Sequence, residues 1–316
     1  MKELIINDND SGQRLDRFLS KHLSHLPPSL LAKLIRKERF KINGKKAAAD
    51  QRLQNGDRLF MYINDEMLTT PSEEQVFKLL CIELDGIAYE DENIIIVDKP
   101  AGLSVHSDES KNPDTLIARI QSYLYKKGEW NPDAENSFVP ALCNRIDRNT
   151  QGLVIAAKNA AALRDMNEII KNRLVKKYYL CIANGIPEKK EDILTGFILK
   201  DEKTNSVEVF KKPVPGAKNA KTGYRVLAEG RGKCLMECEL YTGRTHQIRA
   251  QLAAIGCPLA GDTKYGRQDG RKGGQALYAY KLTFDEDLNS EALSYLSGRT
   301  IELDKTRIEQ EFSQIS

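Results

Sequence analysis

Four consecutive β-branched residues, Ile94-Ile95-Ile96-Val97, constrain this chain more than any other short segment. With no polar alternation the run has no solvent face, so it reads as a strand covered on both sides. Asp98-Lys99-Pro100-Ala101-Gly102 then turns the chain. A second apolar run, Gly152 to Ala157, precedes Asn159, a helix cap, and then Leu163, Met166, Ile170 and Leu174 at helical spacing. Lys177 to Ala183 reads as another strand, and Thr222 to Ala228 and Lys233 to Tyr241 alternate like half-exposed strands. His246 to Ile255 predicts a short helix ended by Gly256. The mixture predicts an α+β fold with mixed, mainly antiparallel sheets and flanking helices.

At 316 residues the chain is long enough for two domains. No apolar run approaches the length of a membrane span. The start, M-K-E-L-I-I-N-D-N-D, turns acidic before any long apolar stretch, so no secretory signal is expected. The six cysteines are scattered, which predicts reduced thiols in a cytoplasmic protein, and no His or Cys pair has metal-ligand spacing.

The formal net charge of +3 hides a segregation. Residues 12–60 carry twelve Lys/Arg against four Asp/Glu, a net of +8, and the remainder is negative. The densest part is Lys33, Arg36, Lys37, Arg39, Lys41, Lys45 and Lys46, opposed by Glu38. Such a field suggests a polyanion site, against the plainer reading of a solvated helix face. Residues 65–92 hold nine acids and one lysine. The chain is therefore divided into a small basic domain at 12–64, a linker at 65–76 and a larger domain at 77–316.

In the basic domain, Leu15, Phe18, Leu19, Leu23 and Leu26 follow a helical period, and Pro27-Pro28-Ser29 stops that helix and caps the next. Leu30, Leu31, Leu34 and Ile35 form the apolar stripe of the second helix, with Lys33, Arg36 and Lys37 off it. F-K-I-N-G-K-K predicts a hairpin with an Asn-Gly turn. This module of two helices and a small sheet resembles the alpha-L RNA-binding motif. The matching residues are R-L-D at 14–16, L-A-K-L-I-R-K at 31–37, I-N-G-K at 42–45 and N-G-D-R-L at 55–59. The resemblance implies that the second helix and the loop after it lie along RNA. Lys/Arg there neutralise phosphate, giving affinity without sequence information.

Two segments of the larger domain carry chemistry. In A-L-C-N-R-I-D-R-N-T-Q-G, Asp147 sits between Arg145 and Arg148, which would hold it ionised as a nucleophile or base, although such pairs are often plain surface ion pairs. In G-R-T-H-Q-I-R, Arg244, His246 and Arg249 cluster where a helix begins, poorly placed for helix stability but well placed to meet an anion.

Together these segments resemble the RluA family of RNA pseudouridine synthases. The signature loop H-R-L-D-x-x-T-S-G appears as N-R-I-D-R-N-T-Q-G, and K-P-x-G-x-x-V-H spans Lys99 to His106. A lysine precedes a tyrosine by two positions at Lys177 and Tyr179, and G-R-T-H-Q-I-R is intact from Gly243 to Arg249. G-x-P-x-x-G-D-x-x-Y-G follows, ending at Gly266, and Gln275 to Ala279 matches a late strand. The departures are Asn144, Ile146 and Gln151 in the signature loop, and Gln251 after the third motif.

The resemblance implies isomerisation of uridine to pseudouridine in RNA, with no metal or cofactor, by a cytoplasmic protein, with a monomer as the default. Asp147 would initiate glycosidic cleavage, Arg249 would pair with it, and Tyr179 would stack on the uracil and assist proton removal. Arg145 would help extrude the uridine, Ile248 would pack near the ring, and Arg244 would touch phosphate. His106 could line the cleft. Large-subunit ribosomal RNA is the expected substrate. The competing expectations are a noncatalytic RNA-binding or ribosome-assembly protein that keeps the fold, a tRNA-directed synthase, and a glycoside hydrolase, which would need a second carboxylate. Cys234, Met236 and Cys238 share a strand face and are expected in the core; His22 and His25 are expected at the surface; Trp130 is expected in a loop.

Overall fold

A computed structural model of the chain describes residues 1–68, 82–107 and 112–315. Residues 69–76 of the expected linker lie outside the described residues.

The N-terminal unit runs β1 (Lys2–Ile5), α1 (Leu15–His22), α2 (Pro28–Arg36), β2 (Phe40–Ile42), β3 (Lys45–Lys46), β4 (Arg58–Met61) and α3 (Asp65–Leu68). Its strands form one sheet in the order β1-β4-β2-β3. The Asn-Gly turn forms as the sequence predicts, with Asn43 and Gly44 at φ of 51° and 77°, values that a two-residue hairpin needs. The unit starts before residue 12, because β1 pairs with β4 and so supplies a sheet edge that helix-period reasoning does not detect. Helix α2 begins with Pro28 at its first position and has no side-chain cap, so Ser29 does not serve as one. Leu15, Phe18, Leu19, Leu31 and Ile35 bury one helix stripe each against Phe40, Leu59 and Met61.

The larger unit runs β5 (Ile87–Glu90), β6 (Ile94–Lys99), α4 (Leu116–Lys127), β7 (Ala141–Leu142), β8 (Gln151–Ala157), α5 (Ala160–Lys171), β9 (Val175–Asn184), β10 (Glu191–Asp201), β11 (Ser206–Phe210), β12 (Lys218–Gly230), β13 (Lys233–Leu240), α6 (Gln247–Ala254), β14 (Leu277–Phe284), β15 (Thr300–Glu302) and α7 (Thr306–Ile315). Its sheet follows the order β11-β10-β12-β13-β9-β14-β8-β6-β5, with β15 on β14 and β7 on β8. Every pairing is antiparallel except β14 with β8. The fold is α+β with a large mixed sheet, as the sequence predicts.

The run Ile94–Val97 is fully buried because opposite faces of β6 enter different cores. Ile95 and Val97 share a core with Ile120 and Leu124 of α4 and with Ile248 and Leu252 of α6. Ile94 and Ile96 pack under Met166 and Ile169 of α5. Helix α5 is capped by Asn159, whose side chain accepts from the Ala162 amide at 2.8 Å. Gly152 has φ of 120°, and a Cβ there would run into the Ala279 backbone, so glycine is what lets β8 approach β14. Cys234, Met236 and Cys238 lie in the core, and Trp130 is buried there too, so it packs the large unit rather than facing solvent. His22 and His25 are half-buried rather than at the surface, each with a backbone carbonyl partner, Asn136 and Met67.

Candidate active site

A cleft of about 470 Å³ opens where the loop 143–150 meets the start of β9 and the segment from Glu239 into α6. The loop before β8 is held from several sides. The Asn144 Oδ1 accepts from the Ile155 amide at 2.7 Å, and Gln275 donates to Thr150 Oγ1 at 3.1 Å. Lys99, fully buried, donates all three of its Nζ protons to backbone carbonyls: Pro100 and Leu103 at 2.8 Å and Arg148 at 2.9 Å. It thereby joins the turn after β6 to the residue next to Asp147. Burial pushes the Lys99 amine down to about 8, against the pull of Asp147 and Asp98.

Asp147 lies in the cleft wall with its side chain 26% exposed. Its carboxylate accepts from Arg249 Nη1 at 2.9 Å. Arg249 is buried on the first turn of α6 and is also held by Asp262, which accepts from Nε at 2.7 Å and from Nη2 at 2.9 Å. Burial opposes the guanidinium charge, but the two carboxylates more than offset it and raise its pKa. Asp262 is fully buried; burial opposes its charge too, and the Arg249 pairing nevertheless brings its carboxyl below the usual range. The Tyr265 ring sits 5.2 Å from the guanidinium carbon.

His246, immediately before α6 at φ of 51°, places Nε2 3.8 Å from Asp147, and its Nδ1 is 2.8 Å from the Tyr265 hydroxyl. Burial pushes the imidazole pKa down despite the nearby carboxylate. Tyr179 is buried in the same cleft, and burial, helped by the Asp147 charge, raises its phenol pKa. Ile248 is buried in the wall, and Arg244 lines it while donating to the Asn219 carbonyl at 2.9 Å.

A buried polar network orients α6. Gln247 donates to Thr222 at 2.8 Å, Thr222 donates to Gln251 at 2.7 Å, and Gln251 donates to the Leu194 carbonyl at 3.2 Å. Two of the four departures from the family pattern, Asn144 and Gln251, are therefore amides with backbone duties.

The structure thus brings together Asp147, Tyr179, Arg249, Arg145, Arg244 and Ile248. It corrects the expectation that the flanking arginines ion-pair with Asp147: Arg148 turns away and donates to the Gly102 carbonyl at 3.0 Å, while Arg145 is exposed and pairs with no carboxylate among the described residues. The distant Arg249 supplies the counter-charge instead. His106 is exposed and lies outside the cleft lining; burial and then Arg145 push its pKa down. Lys33, Arg36, Lys37, Arg39, Lys41 and Lys45 belong to the N-terminal unit and none lines the cleft. Asp262, Tyr265 and Lys99 fall within the sequence motifs, but their neighbours along the chain say nothing of which distant group each one holds. Asp262 is spent on Arg249, so it is no second free carboxylate of the kind a glycoside hydrolase uses.

Residues 93–254 match the family described as RNA pseudouridylate synthase. The chain is 28% identical to an uncharacterized RNA pseudouridine synthase of Bacillus subtilis, across 93% of this chain and 92% of that protein. It is 31% identical to an uncharacterized RNA pseudouridine synthase of Mycoplasma genitalium, across 89% and 88%, and 31% identical to the ribosomal large subunit pseudouridine synthase D of Nitrosomonas europaea, across 89% and 79%. Among solved structures, human RNA pseudouridylate synthase domain containing 4 shares the fold, with a TM-score of 0.53 and 23% identity over 66% of this chain and 88% of that one. The motifs, the Asp147–Arg249 pair and these matches agree: the chain belongs to the RluA-type family of RNA pseudouridine synthases.

Proposed function

We propose that this protein converts specific uridines of large-subunit ribosomal RNA to pseudouridine, with Asp147 as the group that initiates glycosidic cleavage. The observation that carries the mechanistic reading is the 2.9 Å hydrogen bond from Arg249 to Asp147 inside a cleft large enough for one nucleotide. Arg249 holds the carboxylate in place beside the cleft. Tyr179 offers a flat, uncharged face for the uracil, since a phenol is protonated near neutrality and burial raises its pKa further, and its hydroxyl assists proton removal by passing a proton on. Ile248 packs against the ring, Arg244 meets phosphate, and Arg145 at the rim takes the space that the flipped base vacates.

The ribosomal substrate is supported by the names of relatives such as that of Nitrosomonas europaea. The N-terminal unit, with the elements of an alpha-L motif, acts as the RNA anchor. Its Lys33, Arg36, Lys37, Arg39 and Lys45 are exposed and Lys41 is half-exposed. Unpairing a base costs a few kcal/mol, and phosphate contacts from this unit offset it. We take the protein to act in the cytoplasm as a monomer. Among the described residues no helix is long and apolar enough to cross a membrane.

The test is to map pseudouridine in ribosomal and transfer RNA from a strain lacking the protein, then restore it with the wild type or with Asp147→Asn. A site lost from large-subunit RNA and recovered only with the wild type is the expected result. A lost tRNA site would redirect the substrate, and recovery with Asp147→Asn would reject Asp147 as the initiating group.

A further inference from the structure

The two units meet, among the described residues, through hydrogen bonds rather than through a shared apolar core. Among the described residues, the buried apolar clusters belong either to the N-terminal unit or to the larger one, and none contains residues of both. The joint centres instead on Asp10, a fully buried carboxylate of the N-terminal unit. It accepts from Ser137 Oγ and from Asn136 Nδ2, both at 2.6 Å and both from the larger unit. The other Asn136 groups are used as well: Nδ2 also donates to the Ile5 carbonyl at 2.9 Å, and the backbone carbonyl is 2.7 Å from His22 Nδ1, which must donate there. Asn9 spans the joint twice. Its Nδ2 donates to Glu135 at 2.7 Å, and its Oδ1 accepts from the Ala160 amide at 3.0 Å.

That last hydrogen bond ties the joint to the catalytic cleft. Ala160 is the first residue of α5, and Ile170 and Lys171, at the other end of this 12-residue helix, line the cleft. A rigid rod of about 18 Å therefore connects the N-terminal unit to the wall of the active site. Directional hydrogen bonds hold one orientation well but contribute little adhesion, since water satisfies the same groups when the units separate. A buried carboxylate tolerates its position only while its donors stay in place. The joint is thus suited to setting register rather than to gluing the units together.

We propose that this polar joint, centred on Asp10, Asn136, Ser137 and Asn9, is a specificity determinant: it holds the N-terminal RNA anchor at one spacing from the cleft and so selects which uridine enters. The inference rests on the reading that the N-terminal unit binds RNA. These four residues do not touch the reacting nucleotide; they act by positioning. Two linked binding sites gain affinity only for ligands whose spacing matches their own. A fixed joint confines that gain to one uridine, whereas a loose one spreads it over several.

The experiment uses the full chain and two RNAs: an in vitro transcript of the host's large-subunit ribosomal RNA, and a short hairpin carrying only the mapped target uridine. Asp10→Ala/Asn136→Ala is compared with the wild type, and Ser137→Ala serves as a milder variant from the other side of the joint. On the transcript, kcat/KM at the target should fall about tenfold or more, with pseudouridine appearing at other uridines. On the hairpin, kcat should be unchanged. Unaltered rate and selectivity on the transcript would overturn the proposal, and so would an equal loss on both RNAs, which would signal damage to the large unit. A third protein, Lys33→Gln/Arg36→Gln/Lys37→Gln, separates this from the reading beneath it. If it loses transcript affinity while the joint variants behave as the wild type, the joint alone is refuted. If it binds the transcript as well as the wild type does, the anchor reading falls, and the joint proposal with it.

Discussion

Arg249 donates to Asp147 at 2.9 Å across 102 residues of sequence, and the same guanidinium is gripped from behind by Asp262. One arginine thereby serves two carboxylates with different exposure. Asp262 is sealed off and fixes the arginine, while Asp147 retains an open side toward the cleft. A fork with five donors is what allows both engagements at once.

Removing the rear carboxylate should therefore damage turnover from a position that RNA never reaches. Asp262→Ala leaves a buried guanidinium under-paired, a change that typically costs about 3–5 kcal/mol. The expected result is a lower melting temperature and a lower kcat, with RNA affinity close to that of the wild type. Thermal unfolding together with single-turnover kinetics checks both. Unchanged kcat would mean that Asp147 needs no such backing.

Lys99 predicts a pH effect with opposite signs for activity and stability. A neutral amine has two protons for three carbonyls, so the loop beside Asp147 should loosen, and turnover fall, as pH rises past about 8. Its folded pKa lies below the ordinary 10.5, so between those values the unfolded chain binds more protons and this group's contribution to stability rises with pH. Lys99→Met should remove both trends. Urea titrations and pH–rate profiles of the two proteins are the measurements.

Tyr179 separates stacking from proton handling. Tyr179→Phe keeps the ring and should retain RNA affinity while lowering kcat; Tyr179→Leu should weaken both. If Tyr179→Phe turns over normally, its hydroxyl has no part in the chemistry.

Neutralising Lys33, Arg36 and Lys37 together should flatten the salt dependence of RNA binding by roughly two to three units of slope, at about 0.7–0.9 for each phosphate no longer neutralised. Binding isotherms across a range of salt concentrations read this directly. An unaltered slope would remove helix α2 from the RNA path.

Gln251→Leu should cost stability rather than catalysis. It leaves the Thr222 hydroxyl proton without its Gln251 acceptor and takes the Gln251 donor from the Leu194 carbonyl, a loss of about 1–3 kcal/mol in a buried setting. Chemical denaturation should show the loss while kcat stays near that of the wild type.

Local chemistry in the sequence is enough to locate strands at Ile94–Val97 and Gly152–Ala157, which the structure extends to Lys99 and back to Gln151, along with the Asn159 cap, the Asn43-Gly44 hairpin and the charge segregation. Each depends on a few adjacent residues, and a motif match carries Asp147, Tyr179 and Arg249 with them. The partner of Asp147 shows the limit of local reasoning. Arg145 and Arg148 are its neighbours along the chain, yet the loop backbone sends one outward and the other to Gly102. Folding the sheet brings α6 under that loop, so the counter-charge comes from Arg249, with Asp262 behind it. The joint through Asp10 is likewise absent from any sequence window, because its donors lie on Asn136 and Ser137, more than a hundred residues away. Runs and turns are short-range consequences of side-chain shape and backbone preference. Which charge meets which, and at what burial, depends on the distances between segments that only the packed chain defines.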